Sequence, residues 1–486
     1  MRKSVQRNFL LFIAAILFCA DISAAELKII AITDTHGAWR SMPEHNWLQM
    51  AYGISESESK DDTPVLKIDC GDTLSGSREA AESGYMLGIH ALNYLDFDVW
   101  IPGNHDFDNG TEHLTAMIAL FNGKVICCNI DHPEILPYFI FERGGFRIAV
   151  VGLLTPATRN FFVGDTFLPE ITGEKESVDN TFKILRASGE DFDFAILAMH
   201  RGIYTKGDSI YEILMSNPEI KLVLGGHSHI ISIAEPLRQA AFSAAGRNCE
   251  GFMEIIVSAQ EEQKNDPEML FFFRESAAYP ADETFAAAVE SNWDIVTAEE
   301  LDRVIGRFSP APASDIKSKR TSTLAAMYLQ AMLADTPVGT TAITVVPTGR
   351  RKSFPAEVTL RTIFEMAPHK DRVLLFTVTR EELAIIAEEH LARSAKEATT
   401  PVFANLRITC SKEGTVVAIE PVQEFYTVAF TDFIAAGSGG KMPQTAEILR
   451  DRQFIDCGLL RTKLELLAAS AEIINLVPPE WFILQE

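Results

Sequence analysis

From residue 26 to about 260, short apolar runs alternate with amphipathic stretches. "LKIIAIT" (27–33), "PVLKI" (64–68), "FDVWI" (97–101), "FDFAILAM" (192–199) and "IKLVLG" (220–225) have strand length and end in polar or glycine punctuation. Between them, "SREAAESGYMLGIHALNYL" (77–95) returns apolar residues every three or four positions and predicts a helix. "YFIFERGGFRIAVVGLL" (138–154) places two apolar runs around Arg143, Gly144 and Gly145, which predicts a β-hairpin. Strands and helices taking turns in this way predict an α/β domain with buried sheets over 26–306.

The pattern then changes. "ETFAAAVESNWDIVTAEELDRVI" (283–305) has helical periodicity, and "RFSPAPASDIKSKR" (307–320), rich in proline and serine, reads as a linker. Beyond it, "TSTLAAMYLQAML" (321–333) and "REELAIIAEEHLARSA" (380–395) predict helices, while "RVLLFTVT" (372–379) and "FYTVAF" (425–430) predict strands. Residues 321–486 therefore form a second, smaller α/β domain.

The first residues stand apart from this scheme. Arg2, Lys3 and Arg7 precede the uncharged run "FLLFIAAILFCA", and small residues follow at 23–25. This is the layout of a secretory signal peptide over 1–25, too short to span a bilayer, so the expectation is an exported protein, periplasmic or secreted. The chain carries a formal net charge of −24, and losing a basic leader makes it more acidic still. Such a surface repels nucleic-acid polymers and anionic membranes; a phosphate-bearing ligand needs bound cations to approach it. The six cysteines beyond the leader permit disulfides, although Cys127 and Cys128 in "KVICCNI" read as part of a buried strand.

The five apolar runs end in "DTHG" (34–37), "DCGDTLSGS" (69–77), "PGNHDFD" (102–108), "MHRG" (199–202) and "GGHSH" (225–229). Open α/β sheets gather ligands at the carboxyl ends of their strands, so these loops can converge. The hairpin strand "RIAVVGLL" ends instead in "TPAT", so such endings are not general in this chain. Together the loops offer Asp34, His36, Asp72, Asn104, His200, His227 and His229. Two metal ions sharing Asp72 as a bridge would use them all. The imidazoles favour Zn²⁺, Mn²⁺, Fe or Co over Ca²⁺ or Mg²⁺.

In this order the motifs resemble those of the calcineurin-like metallophosphoesterases. They are most similar to the exported bacterial 5′-nucleotidase, UDP-sugar hydrolase and 2′,3′-cyclic-nucleotide phosphodiesterase family. The resemblance implies a two-sheet α/β sandwich with a C-terminal substrate domain. It implies Asp34, His36, Asp72 and His229 on one divalent ion, and Asp72, Asn104, His200 and His227 on the other. It implies His105 at the leaving group, oriented by a carboxylate; Asp108 fits that position better than Asp106.

In the second domain the resemblance implies a nucleotide pocket with Phe433 as a stacking ring, His369 where relatives carry Phe, and Arg350 as the preceding arginine. The loop Gly437, Ser438, Gly439 and Gly440 lacks the aspartate that relatives place there. The expected activity is two-metal hydrolysis of phosphate esters, nucleotides first. The alternatives are a non-nucleotide ester, a thiosulfate-type group, or an exported protein that holds metal without turnover.

Overall fold

Every residue of β1 (Ala25–Ile32) except Glu26 is buried. Leu27, Ile29 and Ala31 face one apolar core, and Ile30 and Ile32 face another. A strand covered on both faces has no use for polar alternation, which explains the continuous apolar run. In a computed structural model of the chain, the described residues are 25–40, 45–161, 169–203, 209–292, 302–309, 311–312, 323–345, 354–367, 371–397, 401–411, 414–438, 441–470, 474–475 and 482–484. The expected signal peptide, up to residue 24, lies outside them.

The further strands of the first domain are β2 (Val65–Asp69), β3 (Val99–Trp100), β4 (Lys124–Val125), β5 (Tyr138–Arg143), β6 (Phe146–Leu154) and β7 (Phe194–His200). They continue with β8 (Ile220–Gly225), β9 (Ile231–Leu237), β10 (Ala240–Ala245), β11 (Gly251–Ala259) and β12 (Glu268–Glu275). One six-stranded sheet runs β12-β11-β1-β2-β3-β4 and the other β5-β6-β7-β8-β10-β9. Between them Leu27, Ile29, Ile148, Val150, Ile196 and Leu224 share one core. Each such fully buried aliphatic contributes roughly 1.5–3 kcal/mol. Helices cover the outer faces: Trp47–Ser59 packs on the first sheet, Glu174–Ser188 and Ser209–Ser216 on the second. The expected hairpin is β5–β6, closed by Arg143 opposite Phe146.

Two expectations need correction. Residues 77–95 form two helices, Arg78–Glu82 and Leu87–Tyr94. Gly84 and Tyr85 both take φ of 66°, a left-handed turn that no α-helix can run through. The helical reading of 283–305 holds for Glu283–Glu290, but Val304 and Ile305 begin β13 (Val304–Ser309). This strand also takes in Arg307, Phe308 and Ser309, expected to open the linker. Phe308 is buried in the second domain's core, and that burial draws these residues into the sheet.

The remaining strands are β14 (Thr341–Val345), β15 (Glu357–Thr359), β16 (Arg372–Thr379), β17 (Pro401–Ala404), β18 (Arg407–Cys410) and β19 (Val416–Glu420). After them come β20 (Phe425–Thr431), β21 (Ile455–Leu459), β22 (Ile474–Asn475) and β23 (Phe482–Leu484). The main sheet is β17-β14-β20-β16-β21, with smaller sheets β15-β13-β22 and β19-β18-β23. One face of the main sheet packs on the helices Thr323–Leu333 and Leu460–Ala469, the other on Arg380–Glu397. Arg361 of this domain ion-pairs with Asp302 at 2.8 Å and reaches within 4.0 Å of Glu79 in the first domain. Cys70, Cys127, Cys128, Cys249, Cys410 and Cys457 are all unpaired.

Candidate metal centre

All five predicted loops open at one end of the paired sheets. Asp34 and His36 follow β1, Asp72 follows β2, Asn104 and His105 follow β3, His200 ends β7, and His227 and His229 follow β8. The chain turns sharply to aim them. Asp34 and His36 have φ of 49°, Asp72 56°, His227 65° and His229 57°. Left-handed backbone costs a non-glycine residue roughly 1–3 kcal/mol and persists only where its surroundings impose it. Gly103 makes the close approach possible, since a Cβ there would lie 2.3 Å from the Asp72 backbone nitrogen.

Two ligand sets result, and they share Asp72. Asp34, His36, Asp72 and His229 bring one donor atom each within 4.8 Å of one another, as do Asp72, His200 and His227. His229 Nε2 lies 3.3 Å from Asp34 Oδ1 and 3.1 Å from His36 Nε2. In the second set His200 Nε2 lies 3.2 Å from Asp72 Oδ2. Asn104 Oδ1 joins it at 3.2 Å from His200 Nε2 and 2.7 Å from His227 Nδ1.

The tautomers suit metal binding. His200 Nδ1–H donates to the Cys70 carbonyl at 2.7 Å, and His36 Nδ1–H donates to the Ser75 carbonyl at 3.3 Å. In His36 this leaves an Nε2 lone pair facing the centre. In His200 burial opposes the charged form, but the Asp72 and Asp34 carboxylates outweigh it and push the ring up to about 10, so a metal ion would take the place of its Nε2 proton. Burial lowers His36 to about 3, and burial together with the charge of His200 lowers His227 to about 4, so both rings stay neutral. Burial opposes ionisation of Asp34 and Asp72, but neighbouring histidines hold both carboxyls below the usual range. Carboxylates and imidazole lone pairs converging in a dry pocket repel one another, and divalent cations would remove that repulsion. The donor set therefore fits divalent metal ions.

His105 stands beside these sets, its ring 5.5 Å from that of His36. Its Nδ1 is 3.1 Å from Asp108 Oδ2 and 3.2 Å from Oδ1. Burial alone would lower it, but Asp108 and Asp72 outweigh burial and push it up to about 9. In the metal-free chain this pair contributes stability fully below about pH 6.5 and loses it as pH rises through about 9. Nuclear magnetic resonance of the metal-free protein should therefore show a His105 ring still protonated at pH 8. Asp108→Asn should bring its titration down by at least about one unit. A ring that titrates near 6.5 in both proteins would remove this electrostatic account.

Asp106 has a different place from the one weighed for it in the sequence. It is fully buried and accepts from the backbone N–H of Asp72 (3.1 Å), Thr73 (2.9 Å), Leu74 (2.9 Å) and Gly103 (2.8 Å), and from Trp100 Nε1 (3.3 Å). It ties the Asp72 and Asn104 loops together and does not orient His105. Ser75 was missed altogether, and nothing in its local sequence marks it.

In the second domain, Phe433 is half-buried on the short helix Asp432–Ala435, while Arg350 and His369 lie outside the described residues. Asp371, just before β16, comes close to the centre. Burial and the Asp108 carboxylate push its carboxyl up to about 6, with His105 pulling the other way.

Residues 27–230 match the sequence model of the calcineurin-like phosphoesterase family, a span that contains all seven converging side chains. An apyrase of Tabanus yao is 31% identical over 176 residues, covering 34% of this chain and 30% of that protein. A 5′-nucleotidase of Vibrio parahaemolyticus is 25% identical over 179 residues, covering 34% and 32%. The chain thus spans about a third of the length of the curated relatives it matches. A putative 5′-nucleotidase structure from Staphylococcus aureus superposes with a TM-score of 0.78 at 16% identity, covering 95% of this chain and 100% of the other. That likeness extends the shared fold through both domains. The similarity to the calcineurin-like phosphoesterase family thus lies in residues 27–230, the part of the chain that holds the converging side chains.

Proposed function

We propose that this chain is an exported phosphoesterase that hydrolyses phosphate esters, nucleotides among them, at a pair of divalent metal ions. The observation that carries the reading is Asp72, whose carboxylate is common to two ligand sets beside the His105–Asp108 pair. When bound, two such ions supply Lewis acidity and a water of lowered pKa. The residues supply the rest. Asp34, His36 and His229 on one side and Asn104, His200 and His227 on the other would orient a phosphate between them. His105 holds a proton at Nε2, its Nδ1–H turned to Asp108, and can pass that proton to the departing oxygen. No helix among the described residues is long and apolar enough to cross a membrane. The curated relatives named 5′-nucleotidase support nucleotides as the substrate class.

The test is phosphate release by the purified protein loaded with Mn²⁺ or Zn²⁺, using 5′-AMP and p-nitrophenyl phosphate. Turnover that is lost with chelator and in His105→Ala is the expected result. Turnover of the aryl ester alone would overturn the nucleotide assignment while keeping the reaction class. Silence toward every ester in a protein that elemental analysis shows to hold its metal would overturn the hydrolase reading.

A further inference from the structure

One side chain joins the metal-ligand loops to the His105–Asp108 pair. Ser75, 2% exposed, sits three residues after Asp72 on the loop that follows β2. Its hydroxyl lies 2.6 Å from Asp108 Oδ2 and 3.0 Å from the His105 carbonyl oxygen. A hydroxyl has a single proton, and the nearer, charged oxygen takes it. At the same time the Ser75 carbonyl accepts the Nδ1–H of His36 at 3.3 Å. One residue thus holds a ligand of one metal set with its backbone and the carboxylate behind His105 with its side chain.

The Asp108 carboxylate needs such a hold. Its two oxygens lie 3.1 Å and 3.2 Å from His105 Nδ1, so the imidazole by itself does not choose between them. Aspartate χ2 is a broad, soft torsion. Both side chains are partly open to solvent, His105 at 21% and Asp108 at 12%, so water can compete for the same oxygens. A buried hydroxyl at 2.6 Å fixes which oxygen turns inward and thereby fixes the plane of the ring that it faces.

We infer that Ser75 is a positioning residue for the leaving-group step. It acts through Asp108 to hold His105 at a set place relative to the metal ligands. The inference rests on the phosphoesterase reading above and adds a consequence that the reading does not contain. Correct aim of His105 matters when the departing oxygen is basic and needs a proton, and matters little when it leaves easily as a stabilised anion.

The experiment uses the full chain loaded with metal, as wild type and as Ser75→Ala, with metal content measured in both. The expected result is a fall in kcat of about 10- to 100-fold on an alkyl ester such as 5′-AMP. On p-nitrophenyl phosphate the fall should stay below about threefold, with metal content unchanged. Equal losses on the two esters, or no loss on either, would overturn the positioning role.

A second measurement needs no substrate. The His105 Nδ1–H should exchange with water about 10-fold faster in Ser75→Ala, the equivalent of losing about 1.4 kcal/mol of hydrogen bonding. Unchanged exchange would overturn the inference whether or not the protein proves to hydrolyse esters. Faster exchange in a protein without turnover would sustain the positioning of His105 while removing the phosphoesterase reading.

Discussion

Asp72→Asn should lower kcat/KM by at least about 1,000-fold, some 4 kcal/mol of transition-state stabilisation. It should also reduce the bound metal from two ions per chain to one or none after dialysis. The size of the effect follows from what the two carboxylate oxygens do. Oδ2 is 3.2 Å from His200 Nε2 and 3.9 Å from His36 Nε2, and so belongs to both ligand sets. Oδ1 accepts the backbone N–H of His105 at 2.7 Å. An amide keeps the shape and removes the charge. In either flip its NH₂ group must point at the ligand centre, where it would repel cations, or at the His105 N–H, where donor meets donor. Elemental analysis beside steady-state kinetics checks both halves. A variant that keeps two ions and its full rate would show that Asp72 is not a shared ligand.

Asp106→Ala should produce the largest loss of stability of any substitution at the centre, roughly 3–5 kcal/mol. Four backbone N–H groups and the Trp100 indole give their protons to this one carboxylate. Alanine would leave those donors facing a dry interior, and each unmet donor costs about 1–3 kcal/mol before the loops relax or water enters. For a domain of this size the unfolding midpoint should fall on the order of 10 °C. Calorimetry on the metal-free proteins isolates this effect from metal binding. A midpoint within a degree or two of wild type would mean that the Asp72 and Asn104 loops do not depend on Asp106.

The convergence of the candidate ligands was legible for a definite reason. Each follows a buried strand within a few residues or ends it, so the apolar run and the polar ending sit together in the sequence and carry their meaning locally. Asp34 after "LKIIAIT" and His227 after "IKLVLG" are of this kind. Ser75 and Asp106 depend on contacts between loops, and a serine or an aspartate in a glycine-rich turn has the same appearance whether or not it makes them. The break at Gly84 and Tyr85 was hidden too, because apolar residues on both sides keep helical spacing across it. Phe308 could not reveal itself within a proline- and serine-rich stretch, since its burial comes from a core assembled by residues far along the chain. Local pattern likewise does not encode the pairing of β1 with β11, which brings Ile29 opposite Ile255.

The candidate ligands come from both halves of the sandwich: Asp34, His36, Asp72 and Asn104 from the first sheet, His200, His227 and His229 from the second. A bound ion is therefore a cross-link, and its free energy of binding enters the folding equilibrium. An ion present at 100 times its dissociation constant favours the folded state by about 2.7 kcal/mol. Opening the sandwich would require releasing any ion so bound, so a protease would meet a chain whose vulnerability follows the local metal supply. Metal scarcity would then cost the cell the protein itself, in addition to its chemistry.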